Sequence, residues 1–208
     1  MLLVAAHALV RMGACVEIDA TGENLVERID PKQAEEAQER ADPPIVVRVR
    51  AEGLPNLLHE LVHAVQTDRL DDDHGIDYSA IPFDLDSKAG RAVLWDELAC
   101  CVISCAYLWS HGRAARTGGS FAQVRAEVEA WFREQVEIQP VFYGMEDSPR
   151  AFVARVGDLL HRYAHEVDAA IERAYALTER ALRHAGAQPQ LASAPHRPTP
   201  QSLWPLLA

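Results

Sequence analysis

The chain has 208 residues, a hydrophobic fraction of 49% and a formal net charge of -11, from 31 acidic and 20 basic side chains. That length and apolar content allow one large domain or two small ones with a sizeable core. The charge disfavours nucleic acid or an anionic membrane as a partner, and no uninterrupted run of 18 apolar residues announces a membrane span.

Residues 2–12 read as a first helix. "MLLVAAHALVRMGAC" has some look of a signal sequence, but no Lys or Arg precedes its apolar part, and His7 and Arg11 interrupt it. Export as an effector by another route stays open. "CVEIDA" (15–20) alternates Val16, Ile18 and Ala20, which is strand period with those three inward. After the turn Thr21-Gly22-Glu23-Asn24, "LVERI" returns as a hairpin partner. Asp30-Pro31 opens a polar helix to about 41. "PIVVRVR" (44–50) is the clearest strand, with Ile45, Val47 and Val49 on one face and Arg48 and Arg50 on the other. Gly53 ends it, and Pro55 suits the first turn of a helix over 54–67.

A polar loop fills 68–86. A long apolar helix is expected over 87–110, and Ser120 is placed to cap a helix to about 137. "IQPVFYGMEDSP" reads as loop. One last helix is expected over 149–184. Its Val153, Val156, Leu160, Tyr163, Val167, Ala170, Ala174, Leu177 and Ala181 step by three and four. Phe121, Val124, Val128 and Trp131 begin a similar seam, so the two helices form a hairpin, or the seam joins two copies as a homodimer. Residues 188–208 are proline-rich and aperiodic, which predicts a flexible tail whose end, "SLWPLLA", is apolar enough to dock. The expected organisation is α+β, predominantly α. A single domain spans 1–187, with a core at 15–111 and a helical hairpin at 120–185.

Cys100, Cys101 and Cys105 share one apolar stretch at helical spacing, and no cysteine pair has CxxC spacing. Buried thiols in a reducing, cytoplasmic compartment fit this better than a disulfide framework. "DDDH" (71–74) reads as solvated loop rather than a metal site.

The informative stretch is "LLHELVHAVQ" (57–66). On a helix, Leu54, Leu57, Leu58, Leu61, Val62 and Val65 form one apolar stripe. His59 and His63 lie one turn apart on the other side, where two imidazoles can converge on one ion. The bland alternative is a wet helix face that carries two histidines by accident. A third ligand is needed. HExxHxxGxxH fails, because Gln66 and Arg69 occupy the glycine and third-histidine positions. Glu97 is the candidate, 34 residues beyond His63 (97 − 63) and among Val93, Leu94, Cys101, Ser104, Cys105 and Leu108. A carboxylate on such a face wants a metal, a donor network or a cation such as Arg91.

Over residues 44–110 the chain resembles the gluzincin branch of zincin metallopeptidases, in which an HExxH helix and a glutamate on a following helix hold zinc. His59, Glu60, His63 and Glu97 match those positions. The motif is most similar to small bacterial gluzincins, effector- or toxin-type proteases among them, and the loop-and-helix spacing is similar to the clostridial neurotoxin light chains. The aspartate usual four residues after the glutamate is Cys101 here. The resemblance implies a zincin-like core and Zn²⁺ on His59, His63 and Glu97. It implies a protein or peptide substrate, with Glu60 as general base. An oxyanion donor is expected among Tyr143, Tyr78, His74 and Arg150, with Tyr143 favoured. Strand 44–50 is expected to bind extended peptide by edge pairing. Two other classes compete: a non-haem iron oxygenase using the same two-histidine, one-carboxylate set, and a non-enzymatic zincin-fold binding module.

Overall fold

The computed structural model describes residues 1–19, 24–29, 47–70, 72, 76–115, 121–187 and 197–207. The described protein is α+β and predominantly α. It divides into two compact units, Met1–Tyr78 with Ala176–Ser193, and Ser79–Tyr175 with Ala194–Ala208. The expected polar helix at 31–41, the Ser120 cap and most of "DDDH" fall outside the described residues.

The first unit holds helix α1 (Leu2–Val10), strands β1 (Ala14–Ile18), β2 (Leu25–Arg28) and β3 (Val47–Ala51), and helix α2 (Leu54–Thr67). The sheet order is β1-β3-β2, with β3 parallel to β1 and antiparallel to β2. The expected β1–β2 hairpin is therefore not formed, since β3 lies between the two strands. Charge explains the arrangement. Arg48 meets Glu17 of β1 at 3.1 Å and Glu27 of β2 at 2.8 Å, and Arg50 meets the same two carboxylates at 3.3 and 3.4 Å. A basic strand between two acidic ones pairs opposite charges across both ladders. The other face is apolar. Val47, Val49 and Ala51 alternate into the core with Ala14 and Val26. Val16 is half-buried and Ile18 is 45% exposed, so the inward face expected of β1 fades toward its end. Helix α1 packs on β1 and α2, and α2 packs on β3.

The second unit is built on helices α3 (Lys88–Ala115), α4 (Phe121–Glu137) and α5 (Pro149–Arg162) and the first part of α6 (Ala164–His184). Ser87 Oγ accepts the Gly90 amide at 2.9 Å and caps α3. The 82–84 backbone presses on this first turn: a β-carbon on Gly90 would lie 2.0 Å from the Asp84 carbonyl oxygen. By length and composition, Lys88–Ser110 suffices to cross a membrane, and 67% of its most apolar window is buried inside the structure, as in a core helix. A count of consecutive apolar residues overlooks this, because Asp96 and Glu97 interrupt the run.

The single helix expected over 149–184 is two helices. The chain breaks at Tyr163, whose φ of -115° and ψ of 31° leave the helical region. The Arg91 guanidinium lies 3.8 Å from the Tyr163 ring centroid and 3.5 Å from Glu166, so a buried cation holds the break. Val156, Leu160, Val167, Ala170 and Ala174 of the seam are buried within the one chain.

The end of the chain docks rather than remaining an irregular tail. Helix α7 (Pro200–Leu203) opens with a capping box between Thr199 and Ser202, and a tight 3₁₀ turn (Trp204–Leu207) follows. Trp204 is buried, and its Nε1–H donates to the Val153 carbonyl at 2.9 Å. Its ring lies over Gly157, where a β-carbon would sit 3.3 Å from Cδ1 and Nε1. The docking expected of "SLWPLLA" is thus an anchored tryptophan; residues 188–196 fall outside the described ones.

Candidate metal site

Helix α2 is set by its ends and its stripe. Pro55 sits in its first turn, and Asp68, at φ 57° and ψ 30°, closes it in the left-handed region. Leu54, Leu57, Leu58, Leu61 and Val62 are buried and fix the rotation of the helix. That rotation turns His59 and His63 toward one point. Their Nε2 atoms are 3.0 Å apart, with ring centroids at 4.8 Å and an edge-on interplanar angle of 64°.

At this distance the two ring nitrogens are within hydrogen-bond reach, with donor and acceptor set by the tautomers. A tetrahedral ion with bonds of about 2.0–2.1 Å to both nitrogens needs them about 3.3 Å apart. A small opening of the pair converts a shared proton into a shared cation. The donor chemistry of the pair fits zinc. His59 is only 8% exposed and His63 half-buried, so the alternative of a wet helix face does not hold for His59. Glu60 is half-buried on the same helix.

In the second unit, Glu97 is half-buried on α3. The Gln139 amide nitrogen donates to its Oε1 at 3.0 Å, and the Cys101 thiol approaches the same oxygen at 4.0 Å. Arg91, offered by the sequence as a cation for Glu97, is engaged elsewhere: it donates to the Asp86 carbonyl at 2.9 Å and stacks on Tyr163. The carboxylate on the apolar face is therefore met by a donor network that includes a neutral amide.

Tyr143 belongs to this neighbourhood. Its ring packs edge-on to Phe83 at 5.5 Å and lies 5.4 Å from Phe152. Burial, and then the nearby negative charge of Glu97, push its phenol well above the usual tyrosine range. It stays a neutral donor at any ordinary pH. Of the other oxyanion candidates, Tyr78 is 45% exposed in the first unit, Arg150 is exposed, and His74 is outside the described residues.

All four cysteines are free thiols, and Cys100, Cys101 and Cys105 are buried. Burial pushes the Cys101 and Cys105 thiols strongly upward, with the Glu97 charge adding to the effect at Cys101. Protonated thiols of this kind are poor nucleophiles. Cys100 donates to the Asp96 carbonyl at 3.3 Å.

One expectation needs correction. Strand β3 is paired on both sides along Val47–Ala51, so it has no free edge for an extended peptide; the edges of the described sheet are β1 and β2. Gln139 was missed. It lies in the tight turn Gln139–Val141, inside what reads as loop, and nothing in its sequence context distinguishes it from solvent-facing neighbours.

Among the described residues, His59 and His63 bring two ligand-type nitrogens together within the first unit, and Glu97 and Cys101 bring ligand-type atoms together within the second. No protein-family model, curated protein or solved structure matches the chain.

Proposed function

We propose that this chain is a zinc-dependent metallopeptidase. The observation that carries the reading is the convergence of the His59 and His63 Nε2 atoms at 3.0 Å on a helix whose opposite face is locked in the core. Glu60, next to the first histidine, and Glu97, the carboxylate implied by the gluzincin resemblance, complete the set.

In this reading His59, His63 and Glu97 hold the ion. Zinc bound there supplies a Lewis acid that activates a water molecule and polarises a peptide carbonyl. Glu60 takes the proton of the attacking water and returns it to the departing amine. The Tyr143 phenol would donate to the oxygen that becomes negative in the tetrahedral transition state.

The test is proteolysis of an unstructured protein and a random peptide mixture by the zinc-loaded chain, with new termini read by mass spectrometry. Cleavage by the wild type that Glu60→Gln abolishes supports the reading. No new termini from the wild type, or equal cleavage by Glu60→Gln, overturns it. Iron in place of zinc, with oxygen-dependent modification of the peptides, would move the assignment to an oxygenase.

A further inference from the structure

We infer that Gln139 is a positioning residue for Glu97, the carboxylate of the proposed zinc site, which it holds from another element of the fold. The inference rests on the proposed zinc site.

Gln139 is 4% exposed, in the tight turn that follows α4. Its Nε2 lies 3.0 Å from Glu97 Oε1 and 3.4 Å from the backbone carbonyl of Gln135. Both neighbours are acceptors, so chemistry fixes which end of the amide faces them: only the NH₂ can satisfy both. The Gln135 carbonyl belongs to the last turn of α4, where carbonyls lack a helical partner. One N–H thus ties the side chain to the end of its own helix. The other donates to one oxygen of Glu97.

The chemistry favours an amide here. A neutral donor orients a carboxylate without neutralising it, whereas a lysine or arginine at 3.0 Å would compete with the metal for its charge. Cys101 occupies the position four residues after Glu97, and its thiol is a weak donor at 4.0 Å. The stronger hydrogen bond comes from Gln139, 42 positions along the chain. Partners that orient metal ligands typically change affinity about 10- to 100-fold when removed.

The experiment is a double-mutant cycle on zinc affinity, measured by competition with a chromophoric chelator at neutral pH. Its members are the wild type, Gln139→Leu, Glu97→Ala and the double variant. Gln139→Met, which keeps the unbranched shape, replaces Gln139→Leu if the latter loses the wild-type circular dichroism melt. The visible spectrum of the cobalt-loaded proteins is a second readout. The expected result is an affinity loss of about 10- to 100-fold for Gln139→Leu in the wild-type background and none in the Glu97→Ala background, with a changed cobalt spectrum. Loss of affinity in Glu97→Ala with none in Gln139→Leu overturns the inference alone. So does an equal loss from Gln139→Leu in both backgrounds. A wild type that binds no zinc, or a Glu97→Ala variant that binds like wild type, overturns the inference together with the ligand set beneath it.

Discussion

The docked chain end gives the most quantitative prediction. Trp204 is 8% exposed, and its indole N–H donates to Val153 at 2.9 Å. A buried tryptophan removes roughly 150–250 Å² from water, worth about 4–6 kcal/mol at 25 cal/mol per Å² as an upper bound. Measured Trp→Ala costs run about 3–5 kcal/mol, of which the hydrogen bond accounts for about 1. Because the docked segment is only a four-residue helix and a tight turn, Trp204→Ala should release it locally instead of unfolding the protein. A loss of 3–5 kcal/mol corresponds to an increase of about 10²- to 10⁴-fold in opening. Hydrogen exchange by mass spectrometry would read this at the amides of Ser202 and Leu203, which bond to the Thr199 carbonyl. Trp204→Phe, which retains most of the apolar area, should raise exchange about 10-fold or less. Exchange at 202–203 within threefold of wild type in Trp204→Ala would refute the reasoning, and so would equal acceleration in β3.

Gly90→Ala should be severe for one methyl group, because the added carbon meets the Asp84 carbonyl oxygen at 2.0 Å and the Pro82 carbonyl oxygen at 2.6 Å. Overpacking against backbone costs about 1–3 kcal/mol or more, and a melting temperature unchanged in Gly90→Ala would contradict the close approach. Tyr143 makes an alkaline prediction. Its folded-state pKa is raised by burial and by Glu97 above the ordinary tyrosine value of about 10. Its contribution is therefore fully present below about pH 10, where an unfolded tyrosine is still protonated, and is lost as pH rises beyond that. Tyr143→Phe should flatten the fall in stability above pH 10, measured by urea titrations at several pH values; an unchanged slope would contradict the shift.

What could be read from the residues is what local physics decides. Helix α2 spans 54–67 as its apolar spacing, Gly53 and Pro55 predict, and the start of α3 at Lys88 differs by one residue from expectation. The pairing of His59 with His63 follows from helical geometry alone. What could not be read depends on residues far apart in sequence. The break at Tyr163 interrupts a regular heptad pattern, and its partner is Arg91, on another helix. The place of β3 between β1 and β2 reflects carboxylates from two strands meeting one pair of arginines. The heptad spacing marks Val156, Leu160, Val167, Ala170 and Ala174 as buried, while Val153, Tyr163, Leu177 and Ala181 are half-buried, and it carries no information about the bend. Gln139 shows the same limit within the candidate site, since a single polar residue in a turn has no periodic signature.

The central claim is that the histidine pair of α2 is a metal ligand pair. Its most direct test is elemental analysis of the purified, zinc-equilibrated chain beside His59→Ala and His63→Ala, each shown to be folded by circular dichroism. About one zinc per wild-type chain, lost in both variants, is the predicted result. A wild type without metal, or variants that keep their zinc, would reduce "HELVH" to two histidines sharing a proton on a core helix.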